Sequence, residues 1–399
     1  MPKNETLPSL PSLRILMLAP EPFFQPRGTP ISIYFRLSAL SKLGHKVDVV
    51  TYPLGQDRRF DNVTLTRVPN IGLRRIKIGP SLAKIPLDLF LFAAALWKTL
   101  TRRYDLIFTH EEAGWFGALL SRLWGIPHVY DMHSCLPQQL INYRFTDSPL
   151  IIGLFRVLER NVLRNAQAVI VICPDLRRMV EEEGFGEKAV LLENICDFEG
   201  TELTERQRAL LRRSIAPGGE KILVYTGNFQ YYQGIPLLLY SVARLVDRPI
   251  KLVLVGGKGK ELEETRALVR EMGLEDKTVF IGQVAPDEVP RYVEVADALV
   301  SPRTSGTNTP LKIYSFLKSG KPLVATRLWT HTQVLDDSVA LLADPSPERM
   351  AESIEAALFS DEGRRRARAA KEKANREYTE ERYLETITRV LRKAMFKGE

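Results

Sequence analysis

The feature that most constrains this chain lies between Ala296 and Thr326, where two short apolar runs, ADALV (296–300) and KPLVAT (321–326), enclose SPRTSGTNTPLKIYSFLKSG. The runs read as strands, and the enclosed stretch as a loop of small residues followed by a helix. Strand, loop, helix, strand is the unit of a doubly wound parallel sheet, in which ligands bind at the loops that follow strands. Pro310 suits the first helical position, where a missing N–H costs nothing. The amides from Thr309 to Leu311, beside Thr307 and Asn308, then form an anion site at a helix start. Arg303 stands at the strand exit and Lys312 in the first helical turn. A lysine there opposes the helix dipole, which is poor for stability and good for a phosphate. The plainer alternative is a pair of solvated or carboxylate-paired cations.

The same alternation runs through the whole chain, which at 399 residues is long enough for two cores. Strand runs are expected at 14–19, 46–52, 104–109, 127–132, 168–173 and 189–192, then again at 221–226, 250–255 and 278–282. The polar stretch after Glu199, with Pro217-Gly218-Gly219, separates the two series. The expected organisation is a lead-in at 1–12, a first Rossmann-like domain at 13–198 and a linker at 199–219. A second Rossmann-like domain at 220–375 and a C-terminal helix at 376–399, crossing back to the first domain, complete it. The fold class is α/β, with two parallel-sheet domains facing each other across a cleft.

In the first half, Gly28-Thr29 follows the opening strand and lets a ligand approach the backbone; without G-x-G-x-x-G, a dinucleotide cofactor is disfavoured. His110-Glu111-Glu112 and His133 stand at successive strand ends, where imidazole can hydrogen-bond a sugar hydroxyl or phosphate near neutral pH. A structural histidine is the bland alternative. Ser134 to Ser148 reads as a rim loop or interrupted helix facing the acceptor. Arg74, Arg75, Lys77, Lys84, Lys98, Arg102 and Arg103 flank an apolar helix expected at Leu87–Leu100. Such a helix can lie on an anionic membrane surface or pack as core, and the pattern leaves both open.

A net charge of +8 and a pI near 9.3 call for an anionic partner without choosing its kind. The N-terminus lacks a signal-peptide core, and Leu87–Trp97 is too short to span a bilayer. Cys135, Cys173 and Cys196 lack metal or disulfide spacing and read as buried thiols in a reducing compartment. No Asp-x-Asp stands at a strand end, so no metal is expected; Asp336-Asp337 reads as a loop turn.

Taken in order, the first loop, the His110 and His133 strand ends, the junction Asn194-Ile195-Cys196-Asp197, and the segments YTGNFQYYQG, LVLVGGKG, VFIGQV, ADALVSP and PLKIYSFLKSGKPLVAT resemble the family 4 glycosyltransferases. These are retaining enzymes of the GT-B fold that move a sugar from a nucleotide-diphosphate donor. The resemblance implies His133 at the donor sugar, Gly28 and Thr29 near the diphosphate and acceptor, and Gln283 and Val284 at the nucleobase. Arg303, Lys312 and the amides to Leu311 would hold the diphosphate, with Gly227 and Gly256 in the same donor site. The chain departs from the family pattern where two glutamates are usual, carrying Thr307 and Ser315 instead. Asn228 and Gln233 replace an arginine and a lysine, and Gln333 replaces a further glutamate. A similar subgroup shares these replacements, with Arg303 in place of the lost cations.

What the resemblance implies is a metal-independent, cofactor-free hexosyltransferase. Its acceptor would be a glycan or a lipid-linked precursor of envelope polysaccharide or glycolipid, with His110, Glu111 and Glu112 on the acceptor side. It would be cytoplasmic, peripheral at the inner face of an anionic membrane, with no nucleic-acid partner. Two rivals remain at this stage: a binding scaffold that has lost its catalytic charges, and a GT-B epimerase or hydrolase using Glu111 and Glu112.

Overall fold

A computed structural model describes residues 10–25, 28–77, 79–142, 145–195 and 202–396. The described residues form two compact units. One takes 10–25, 29–193 and 380–396; the other takes 202–379 with Gly28, Asn194 and Ile195. Most of the expected lead-in, Cys196 and Asp197 of the junction, and two rim-loop residues (143 and 144) lie outside the described residues.

The first unit carries strands β1 (Arg14–Ala19), β2 (Lys46–Thr51), β3 (Val63–Arg67), β4 (Leu106–His110), β5 (His128–Met132), β6 (Ala168–Val171) and β7 (Ala189–Leu191). They pair in the order β3-β2-β1-β4-β5-β6-β7, all parallel. The central strands are buried along almost their whole length, as a parallel sheet covered on both faces requires. Helices α1 (Gly28–Lys42), α2 (Lys84–Thr101), α3 (Ala113–Trp124), α4 (Leu136–Asn142), α5 (Pro149–Asn165) and α6 (Pro174–Glu182) connect the strands. Right-handed crossovers place α1 on one face and α2, α3 and α5 on the other.

In the second unit, β8 (Lys221–Thr226), β9 (Ile250–Val255), β10 (Thr278–Gly282), β11 (Ala298–Ser301), β12 (Leu323–Thr326) and β13 (Leu341–Ala343) form a parallel sheet in the order β10-β9-β8-β11-β12-β13. Its helices are α7 (Glu205–Ile215), α8 (Ile235–Ala243), α9 (Gly259–Glu271), α10 (Val289–Val295), α11 (Lys312–Ser319), α12 (Trp329–Thr332), α13 (Pro347–Phe359) and α14 (Asp361–Glu377). A last helix, α15 (Glu380–Met395), packs on β5 and β6 of the first unit.

The expected linker is mostly not a linker. Residues 205–215 form α7, started by a capping box in which Thr204 Oγ1 accepts from the Gln207 amide at 3.3 Å and Gln207 Oε1 from the Thr204 amide at 3.0 Å. Leu203, Ile215 and Ala216 are buried in the core of the second unit, and Arg212 pairs with Asp297 at 2.9 Å. A helix exposed on one side looks polar in sequence, and its spaced apolar residues carry the packing.

Candidate active site

Strand order reverses in the second unit between β8 and β11, the position where a doubly wound sheet opens a crevice for ligands. Gly227 follows β8 with φ 139°, and Gly256 follows β9 with φ 117°. A Cβ on Gly256 would lie 2.0 Å from the Gly227 carbonyl oxygen, so these loops approach closely because residue 256 is glycine. Into this place Lys312 turns its ammonium, donating to the Thr226 carbonyl at 2.8 Å and standing 4.0 Å from the centre of the Tyr225 ring. Lys312 has no carboxylate partner among the described residues. Burial and the charge of Arg303 together hold its pKa well below that of a free lysine.

Arg303 donates through Nη1 to the Asn308 carbonyl and to Thr330 Oγ1, both at 3.0 Å, and its guanidinium faces the Tyr232 ring. It therefore fastens the loop before α11 as well as placing a positive charge there. Gln333 Nε2 secures the same loop at the Thr307 carbonyl, 2.5 Å away. The helix begins at Lys312, not at Pro310 as expected; the Pro310 carbonyl instead accepts from the Ile313 amide at 2.9 Å. Thr309, Pro310 and Leu311 thus belong to the turn before the helix, because the loop is anchored at Asn308 and reaches helical geometry only at Leu311.

Other residues expected at the donor have local partners. Ser315 Oγ donates to the Lys312 carbonyl at 2.9 Å, a bond internal to the helix. Asn228 Oδ1 accepts from the Gln230 amide at 3.3 Å, and its carbonyl accepts from Tyr225 OH at 2.6 Å. Gln233 and Thr309 are buried, and neither Gln233 Oε1 nor Thr309 Oγ1 has a hydrogen-bond partner among the described residues. Gln283 is exposed just past β10, while Val284 packs against the core. Thr29 lies in the first turn of α1, behind Gly28, where a Cβ would meet nothing within 4 Å.

The first unit has its own strand-end centre. His110, the last residue of β4, and His133, just past β5, are both buried, with His110 Nδ1 and His133 Nε2 3.2 Å apart. Between them lies Asp131, whose Oδ2 is 3.4 Å from His110 Nδ1 and 3.3 Å from His133 Nε2 and accepts from Arg36 Nε at 2.8 Å. Arg36 is fully buried, and its other nitrogens donate to Tyr383 OH on α15 and to the Leu192 carbonyl. Burial works against the Asp131 carboxylate, but Arg36 and the histidines outweigh it and keep its pKa far below the usual range. Burial drives His110 to about 3, so its imidazole is neutral.

His110 was expected on the acceptor side, but it has no exposed surface and faces Asp131 and His133 instead. Glu111 and Glu112 belong to a second cluster. Glu112 pairs with Lys84 of α2 at 3.2 Å, and Glu111, at φ 47°, accepts from Ser134 at 2.8 Å. Tyr52 donates to Asp88, and Glu21 is 4.0 Å from Lys84. Burial and then Glu112 raise Glu111 well above a free carboxyl and bring Asp88 to about 7. Sequence reasoning missed Arg36, Asp131 and Tyr383. A charged residue inside the buried runs ISIYFRLSAL and HVYDM was the available signal.

Two parallel α/β sheets, each with its own switch point, are the architecture of the GT-B glycosyltransferases. Residues 37–194 match the glycosyl transferase 4-like domain family and residues 207–375 the glycosyl transferases group 1 family. This chain belongs to the family 4 type glycosyltransferases. It is 25% identical over 320 residues to alpha-monoglucosyldiacylglycerol synthase of Streptococcus pneumoniae, covering 78% of this chain and 71% of the relative. It is 25% identical over 348 residues to D-inositol 3-phosphate glycosyltransferase of Corynebacterium aurimucosum, covering 84% and 79%. The crystal structure of Anabaena HepE in complex with UDP superposes with a TM-score of 0.75 at 18% identity, over 95% of this chain and 99% of that one.

Proposed function

We propose that this glycosyltransferase takes its sugar from a nucleotide-diphosphate donor and transfers it, with retention and without metal, to a glycolipid or lipid-linked glycan. The observation that carries this reading is Lys312: an ammonium without a carboxylate partner among the described residues, beside Arg303, at a glycine-lined switch point. A diphosphate there relieves the repulsion between the two cations, and stabilises most when the sugar–phosphate bond breaks and charge builds on the leaving group. HepE, whose fold this chain shares, has been crystallised with UDP-glucose. In the front-face route the leaving phosphate oxygen takes the acceptor proton, so no protein nucleophile is needed; His133 contacts the donor sugar. A thermal-shift panel of UDP, GDP, ADP, TDP and CMP, with and without Mg²⁺, tests this. One diphosphate should raise Tm by a few degrees without metal, since saturation at about 100 times Kd adds about 2.7 kcal/mol. A flat panel counts against it.

The lipid acceptor and a peripheral position at an anionic, inner membrane face rest on α2. Ile85, Leu89, Phe90, Trp97 and Leu100 are exposed along it, Arg102 and Arg103 are exposed at its C-terminal end, and Arg74 and Arg75 are exposed in the chain that leads to it. An apolar stripe with basic ends suits an anionic bilayer surface. No helix among the described residues is long and apolar enough to cross a membrane. One relative is by name a synthase of a glucosyldiacylglycerol. Co-sedimentation with phosphatidylglycerol-containing vesicles at low salt is the check, and absence of binding removes the membrane part of the reading.

A further inference from the structure

We propose that Thr330 is a positioning residue: its hydroxyl sets where the Arg303 guanidinium stands beside Lys312, and so how the two cations meet a diphosphate. The inference rests on the reading of Arg303 and Lys312 as diphosphate ligands, and it names what aims one of them. Thr330 lies in α12, is fully buried, and belongs to the same unit as both cations. Its Oγ1 is 2.6 Å from the Asn308 carbonyl oxygen and 3.0 Å from Arg303 Nη1. A carbonyl oxygen only accepts and a guanidinium only donates, so the single hydroxyl proton goes to Asn308 and a lone pair faces Arg303. Arg303 Nη1 also donates to the Asn308 carbonyl, 3.0 Å away. Guanidinium, hydroxyl and carbonyl thus form a closed triangle in which no two roles can be exchanged.

The supports around this triangle are themselves tied down. Thr326 Oγ1 donates to the Arg303 carbonyl at 2.6 Å, which pins the main chain of Arg303. His331, next to Thr330, is fully buried, and burial lowers its pKa to about 3, so the ring is neutral. Its Nδ1 donates to the Thr326 carbonyl at 2.9 Å and its Nε2 accepts from Ser301 Oγ at 2.9 Å, tying α12 to the ends of β11 and β12. Gly306 lets the loop close around the guanidinium, since a Cβ there would lie 3.2 Å from Arg303 Nη1 and 3.8 Å from Thr330 Oγ1. After burial, it is the Arg303 charge that lowers the pKa of Lys312, so the place of the guanidinium is felt at that ammonium.

Lysine titration reads that placement without any ligand. The ¹³Cε shifts of lysine-labelled protein are followed with pH, with Lys312→Met used to assign the signal. Arg303→Ala should raise the Lys312 midpoint by about one pH unit. Thr330→Val, which keeps the shape and loses the hydroxyl, should raise it part of the way, and Thr330→Ser, which keeps the hydroxyl, should leave it at the wild-type value. The Thr330→Val/Arg303→Ala double variant should match Arg303→Ala alone. Should the valine variant fail to fold, Thr330→Ala carries the same comparison. A wild-type midpoint in Thr330→Val, additive shifts in the double variant, or a larger shift in Thr330→Ser than in Thr330→Val overturns the proposal; the last is the order that packing alone would give. With UDP-glucose as donor, kcat/KM should fall about tenfold in Thr330→Val, as for a lost hydrogen bond to a charged group, and recover in Thr330→Ser. If the Lys312 midpoints move as expected while UDP does not bind and UDP-glucose is not turned over, the diphosphate reading fails and the placement of Arg303 by Thr330 stands.

Discussion

The two units solve the problem of buried charge in opposite ways. In the first, buried Arg36, Lys84 and Asp48 each have an opposite partner: Arg36 with Asp131, Lys84 with Glu112, and Asp48 with Arg102 at 3.0 Å. In the second, Lys312 is enclosed against a carbonyl and a tyrosine ring and lies near another cation. Paired charges are finished structure, whereas on the proposed reading a buried cation with no anion among the described residues is completed by a ligand. The surfaces differ as well. Large apolar side chains are exposed along α2, α3 and α5 of the first unit, Leu89, Trp97, Leu123 and Leu154 among them, while the second exposes only scattered ones such as Tyr240 and Phe359. On the reading proposed above, one unit meets an apolar partner and the other an anionic one.

The sharpest way to break this contrast is at the cations. Replacing Lys312 with Met should lower kcat/KM by about 10²–10³, and adding Arg303→Ala should lower it further, as for loss of transition-state charge stabilisers. Nucleotide-induced thermal shifts should vanish in the double variant, while Lys312→Met alone leaves the ligand-free Tm unchanged or higher. In the first unit the same kind of change should do the reverse. Lys84→Met strands Glu112 and should destabilise by about 3 kcal/mol in urea, with nucleotide binding retained. Leu89→Glu with Trp97→Glu should cost vesicle binding about 1.5–3 kcal/mol per side chain, read by co-sedimentation, with no effect on donor binding.

The smallest expected effect separates the units by pH. Burial raises the pKa of Glu159 to about 7, so its contribution to stability is present below about 4.5 and is lost as pH rises through 7. Lys312 is lowered, so the unfolded chain binds more protons over the window up to 10.5, and stability rises with pH there. Glu159→Gln should flatten the acidic slope and Lys312→Met the alkaline one, each by about 1–2 kcal/mol in urea midpoints across its window. Exchange of these effects between the two variants would refute the contrast.

Much of this was legible in sequence. RILMLA, KILVYT, IKLVLV and TVFIG are strands at the expected bounds, because buried parallel strands are continuous apolar runs. VTLTR and LLA were missed as strands, the first because it is half polar and the second because three residues carry no pattern. Lys312, Arg303, His110 and His133 were singled out by position after strands. What holds them was not, since Arg36 meets Asp131 across 95 positions and Tyr383 across 347. No local pattern records a partner that distant.

That last separation bears on how the protein is made. The ribosome releases α1 and its Arg36 long before Tyr383, with the whole second unit synthesised in between. Until residues 380–395 emerge, β5 and β6 lack the helix that covers them and Arg36 lacks one of its acceptors. The first domain translated is therefore the last to be sealed, and a nascent chain stalled before α15 should expose that face to chaperones even when its second unit is already folded.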